Sequence, residues 1–160
     1  MNKAIEALAS EVGAALRRKG WMLATAESCT GGGVAQAVTE IAGSSAWFDR
    51  GFVTYSNAAK SAMLDVPAEL IAQHGAVSAE VAAAMAAGAQ ANSAAQVALS
   101  TTGIAGPGGA VPGKPVGTVW FGWSVAGVVD TACMRFDGDR QAVREQAVVH
   151  ALQGVLRRLA

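Results

Sequence analysis

The chain has 160 residues, of which 52% are hydrophobic and 15% charged, and its twelve Lys and Arg balance twelve Asp and Glu. That composition argues against disorder and fits one domain, residues 1–160, with a sizeable core. With zero formal net charge and no basic run beyond Arg17–Lys19 and Arg157–Arg158, each near a predicted helix end, a broad nucleic-acid-binding face is disfavoured.

The elements follow in chain order. Met1–Glu6 carries an early acid and opens an amphipathic helix rather than a signal peptide. Ile5, Leu8, Val12 and Leu16 keep helical spacing, and Gly20 supplies the stop. Trp21–Ala24 reads as a buried strand, Thr25–Gly33 as a turn, and Val34–Ile41 as a helix ended by Gly43. Phe52–Tyr55 is a short strand, and Asn57 caps a helix carrying Lys60 and Leu64. Pro67 suits the first turn of a helix through Leu70 and Ile71. Ser78 caps an Ala-rich helix over Ala79–Ala91, with Glu80 in its first turn. Gln96–Thr102 reads as a buried strand, and the glycine- and proline-rich Gly103–Gly113 as loop. Gly117–Val125 and Val128–Phe136 form a hairpin around Ala126-Gly127. Asp139 caps the last helix, whose apolar face holds Val148, Ala151, Leu152, Val155 and Leu159. Strands alternating with helices predict an α/β layered fold, with a mixed β-sheet flanked by helices.

No stretch is long and apolar enough to span a membrane, so a cytoplasmic location and no membrane partner are expected. Cys29 and Cys133 are too few for a disulfide framework and lack companions at zinc spacing. The apolar composition with few charges predicts a homo-oligomer.

Three polar segments carry candidate chemistry. The first is Thr25-Ala26-Glu27-Ser28-Cys29-Thr30-Gly31-Gly32-Gly33, at a strand-to-helix turn. Unpaired N–H groups of a helix start hold an anion or a developing oxyanion there. The same hydroxyls also read as plain helix caps, and the pattern is neither a Walker loop nor G-x-S-x-G. The second is Thr54-Tyr55-Ser56-Asn57-Ala58-Ala59-Lys60. In a parallel sheet it shares the C-terminal strand edge with Ser28, so Lys60 is a candidate base for that serine; read alone, it is a solvated helix lysine. The third is Ser100–Gly109, whose glycines admit a phosphate or planar ligand, or simply make a flexible loop. His74 suits a helix end, and His150 a partly exposed helix face. Glu27 is open between an orienting, capping or ion-pairing role. Cys29 reads as packing, with a Cys29–His pair as the rival nucleophile.

Taken together, these segments resemble the CinA C-terminal-domain family of nicotinamide-nucleotide amidases. The resemblance rests on Thr25–Gly32, Ile41–Ser45, Phe52–Asn57 with Lys60, His74–Ser78, Gly103–Pro107 and Lys114–Val119. It implies hydrolysis of the carboxamide of nicotinamide mononucleotide to nicotinic acid mononucleotide and ammonia, without metal or cofactor. By that resemblance Ser28 is the nucleophile, Lys60 its general base, and Tyr55 an aid to proton transfer or orientation. It further implies substrate binding by Thr30, Gly31, Thr102, Gly103, Ile104, Ala105, Gly106, Arg140 and Arg144, the arginines serving the nucleotide phosphate. Pro107–Gly113 is more apolar than the acidic loop common in the family. Many relatives carry a further N-terminal domain, for which 160 residues leave no room. A non-catalytic nucleotide-binding module of the same fold is the alternative.

Overall fold

The computed structural model describes residues 2–160. Its first helix, α1 (Lys3–Lys19), starts where Asn2 accepts the Ala4 N–H and stops at Gly20, which is left-handed. Ile5, Ala9, Val12 and Leu16 are its buried stripe. Then come β1 (Leu23–Glu27), α2 (Gly33–Thr39), a 3-10 turn at Ser44–Ala46, and β2 (Phe48–Val53). Three helices follow: α3 (Asn57–Leu64), α4 (Ala68–His74) and α5 (Ala79–Ala91). The chain closes with β3 (Val97–Gly103), the hairpin β4 (Thr118–Val125) and β5 (Val128–Arg135), and α6 (Arg140–Leu159), capped by Asp139.

The strands form one sheet in the order β2-β1-β3-β4-β5. β1 pairs in parallel with both β2 and β3, whereas β3–β4 and β4–β5 are antiparallel. This is the mixed sheet of an α/β fold. Its two faces bury separate cores, as alternation along each strand requires. Leu23, Val97 and Leu99 pack with α1, α2 and α6; Ala24, Ala26 and Ala98 pack with α3, α4 and α5. β1 is buried along its whole length, its apolar and small residues being joined by the buried polar Thr25 and Glu27.

Several boundaries differ from the sequence reading. β1 begins two residues later than Trp21 and continues through Thr25-Ala26-Glu27, because buried pairing on both sides overrides the polarity of Thr25 and Glu27. β2 runs Phe48–Val53 and leaves Tyr55 beyond its end. Ser56, not Asn57, caps α3 by accepting the Ala59 N–H, and Pro67 stands just before α4 rather than within it. The remaining elements agree within one or two residues.

The crossing that matters for the site lies at β1. The chain leaves β1 through α2 to reach β2 on one side, and returns through α3–α5 to β3 on the other. The C-terminal end of β1 is therefore a switch point, where α/β sheets open a crevice. α3 is held in place there by a close approach to α5. Gly88 meets the Leu64 main chain, and a Cβ at Gly88 would collide with the Leu64 carbonyl oxygen. Gly88→Ala should raise intrinsic helix propensity by about 1 kcal/mol, yet overpacking against backbone costs about 1–3 kcal/mol. The net expectation is a melting temperature lowered by several degrees in calorimetry.

Candidate active site

Ser28 follows β1 directly, and its N–H donates to the Thr101 carbonyl across the sheet. The Thr54 N–H donates to the Glu27 carbonyl in the same way, so the ends of β1, β2 and β3 stay in register beyond the strands. That register brings Lys60, in the first turn of α3, over the serine. Lys60 Nζ lies 3.1 Å from Ser28 Oγ, 3.1 Å from the Thr54 carbonyl oxygen and 3.5 Å from that of Tyr55. Only 1% of Lys60 is exposed. Among the described residues no carboxylate pairs with it. The solvated-lysine reading therefore fails. Burial also lowers the Lys60 pKa below the ordinary lysine range, with the Cys29 thiol opposing slightly.

The geometry suits a neutral amine. Two N–H groups of an –NH2 donate to the two carbonyls, and the lone pair is left for the Ser28 hydroxyl proton. An ammonium would fill the same three directions by donating to all three oxygens.

Ser28 and Lys60 open into a cleft of about 270 Å3. Its walls include Tyr55, Asn57, Ala76, Val77, Arg140 and the backbone-rich segment Thr102–Gly106. Thr102 Oγ1 donates to the Ala76 carbonyl, tying the segment before α5 to the end of β3. Arg140, at the start of α6, donates to the Gly106 carbonyl at 2.9 Å and to the Tyr55 hydroxyl at 3.0 Å. It thus joins the two lips of the cleft. Asn57, Ala76 and Val77 were missed as wall residues from sequence, since spacing gives no distance between α3 and the α4–α5 junction.

Not every expected residue faces this cleft. Thr30 is buried beneath the turn, where its hydroxyl donates to Glu27 Oε1 at 2.6 Å and accepts from Thr101 Oγ1 at 2.8 Å. Gly31 and Arg144 also lie outside the cleft wall; Arg144 lines a neighbouring cleft with Gly33, Gln36 and Val148.

The helix start does not present itself to an anion as expected. Glu27 is fully buried, and its carboxylate accepts from the N–H groups of Val34 at 2.8 Å and Ala35 at 3.0 Å. The first turn of α2 is thus neutralised by the chain's own acid, which settles Glu27 as a cap placed from the preceding strand. The amides of Cys29, Thr30 and Gly32 meet no acceptor among the described residues.

The Cys29–His pair fails too. Burial pushes the Cys29 thiol up to about 12. His74 faces Glu80, and His150 packs on Phe121 with ring centroids 4.5 Å apart; neither lines the cleft. Among the described residues no cluster of His, Cys, Asp or Glu is placed to hold a metal ion.

The sequence model of the CinA C-terminal domain matches residues 5–159. The chain belongs to that family. It is 56% identical to a nicotinamide-nucleotide amidohydrolase, PncC, of Enterobacter agglomerans over 97% of this chain and 95% of that one. The PncC of Escherichia coli K12 is 55% identical, with 91% of this chain and 89% of that one covered. The crystal structure of a CinA superfamily protein from Klebsiella pneumoniae superposes with a TM-score of 0.94 at 42% identity, covering 99% and 98%.

Thiol chemistry gives a direct check on the local environment. At pH 8 a thiol titrating near 12 is ionised in only about one molecule in ten thousand. Iodoacetamide should therefore add once to the native protein, at the exposed Cys133, and leave Cys29 intact. A Cys29 adduct in peptide mass spectra of folded protein would contradict this burial.

Proposed function

We propose that this protein hydrolyses the carboxamide of nicotinamide mononucleotide by a serine–lysine mechanism. The observation that carries the proposal is the 3.1 Å contact between Lys60 Nζ and Ser28 Oγ in a buried site without a carboxylate partner. The nicotinamide-nucleotide amidohydrolases to which the chain is 55–56% identical support the substrate class.

Neutral Lys60 removes the Ser28 hydroxyl proton as Oγ bonds to the carboxamide carbon. The carbonyl oxygen becomes an oxyanion beside the acceptor-free Cys29 amide, the nearest candidate donor on the turn. Lys60 then returns its proton to the departing nitrogen, the C–N bond breaks, and ammonia leaves a Ser28 ester. Water, deprotonated in turn by Lys60, attacks that ester; the Ser28 Oγ–acyl bond breaks, Lys60 returns the proton to Ser28 Oγ, and nicotinic acid mononucleotide leaves. Arg140 keeps donors beyond those given to Gly106 and Tyr55, and these take the substrate phosphate at the mouth of the cleft. The glycine-rich wall at Gly103–Gly106 admits the flat pyridine ring. Gly103 abuts Val119 and the Thr118 carbonyl so closely that a side chain there would displace β4.

Ser28→Ala and Lys60→Met should each abolish ammonia release in an enzyme-coupled assay while circular dichroism stays native. Full turnover by folded Ser28→Ala protein would end the nucleophile assignment. Arg140→Gln should raise KM for the nucleotide at least tenfold and change turnover of the riboside little. The pH dependence has a fixed sign. Protonated Lys60 accepts nothing, so kcat/KM should climb as pH rises through the lysine's value. Because burial lowers that value, the climb should end below the ordinary lysine range of about 10.4.

A further inference from the structure

The turn that carries Ser28, together with the helix start that follows it, is engaged by two charged side chains. On the amide side stands Glu27, with its two oxygens on the Val34 and Ala35 N–H groups and on the Thr30 hydroxyl. On the carbonyl side stands Arg144, from the second turn of α6. Its Nε donates to the Cys29 carbonyl at 3.1 Å, and a terminal nitrogen donates to that of Thr30 at 3.3 Å. Neither charge forms an ion pair among the described residues. Both direct their hydrogen bonds to one short stretch of chain.

Gly31 makes room for this arrangement. Its φ of +58° lies in the left-handed region, and a Cβ there would come within 3.1 Å of the Arg144 guanidinium. The cleft that Arg144 does line contains none of Ser28, Tyr55 or Lys60. A phosphate held by Arg144 would therefore sit in a different cleft from the nucleophile.

We infer that Arg144 is a positioning residue, which with Glu27 clamps the Ser28–Gly32 turn from opposite sides and does not bind the substrate. The physical reason is the geometry of attack. Ser28 must keep Oγ near Lys60 Nζ while the adjacent amides stay free for an oxyanion. The Cys29 and Thr30 side chains of the turn are buried, but Gly31 and Gly32 bring no side chain to fix the backbone between them and α2. Glu27 fixes it through the Thr30 side chain and the start of α2, and Arg144 through the Cys29 and Thr30 carbonyls. The proposal rests on Ser28 being the nucleophile of the amidase reaction.

The test is Arg144→Gln, at a solvent-accessible position where folding should survive, beside Arg144→Lys and Glu27→Gln. Two quantities are measured in each full-length variant: kcat and KM with nicotinamide mononucleotide, and hydrogen exchange of the ligand-free amides from 29 to 35. Misplacing a reacting group by about 1 Å costs up to about a hundredfold in rate. Arg144→Gln should therefore lower kcat about ten- to a hundredfold, move KM less than about threefold, and speed exchange across the turn. Arg144→Lys should recover part of kcat, since an ammonium still reaches a carbonyl. Glu27→Gln, which turns an amide nitrogen toward backbone donors, should repeat the pattern if it folds. A rise in KM with kcat preserved would make Arg144 a substrate ligand and overturn the proposal. So would unchanged exchange, whatever happens to kcat. If the wild-type protein releases no ammonia, the amidase reading fails by itself, and the exchange rates still decide whether the clamp exists.

Discussion

A buried lysine with no carboxylate beside it is the constraint around which this site is arranged. Taking an ammonium out of water without a counter-ion is unfavourable, and the group responds by favouring its neutral form. Lys60 is held there by the carbonyls of Thr54 and Tyr55, which direct its remaining capacity toward Ser28. Those carbonyls occupy the right place because the Thr54 amide bonds back to the Glu27 carbonyl, continuing the β1–β2 pairing one residue past the end of β2. The depressed lysine basicity is thus a consequence of strand pairing, helix start and burial acting on one residue.

The charges around Ser28 are divided among separate partners. Glu27 is taken up by the start of α2; Lys60 lies against Ser28; Arg144 approaches from α6. Had the acid reached the lysine instead, a salt bridge would have kept the ammonium protonated and useless as a base. By engaging Glu27 with the Val34 and Ala35 amides, the fold leaves Lys60 without a carboxylate partner among the described residues. The amides of Cys29, Thr30 and Gly32, rather than those of Val34 and Ala35, are the ones left without an acceptor among the described residues.

Arg140 and Arg144 stand one helical turn apart on α6, and sequence gives no reason to treat them differently. The structure separates them. Arg140 reaches across the cleft mouth to Tyr55 and Gly106, whereas Arg144 reaches the Cys29 and Thr30 carbonyls. An (i, i+4) pair shares a helix face but spans about 6 Å along the axis. That offset suffices to put the two guanidinium groups on different sides of one turn.

The amino-acid sequence by itself determined the order of helices and strands, the glycine turn after the first strand, and the caps at Ser78 and Asp139. It also carried the family resemblance, because each of those signals is local or lies in contiguous motifs. Ser28, Tyr55, Lys60 and the Gly103–Gly106 segment were legible as one strand edge, since parallel strands place their C-terminal ends together. Tertiary structure alone decided that Lys60 is buried rather than solvated, that Cys29 is packed and inert, and that Glu27 closes the helix start expected to receive an anion. It alone placed the Thr30 hydroxyl against Glu27, the Arg144 guanidinium against the Cys29 and Thr30 carbonyls, and Asn57, Ala76 and Val77 in the cleft wall. The physical reason is common to all of these. Burial, basicity and the partner of a hydrogen bond depend on what other segments bring within a few ångströms, and spacing along one segment carries no record of that.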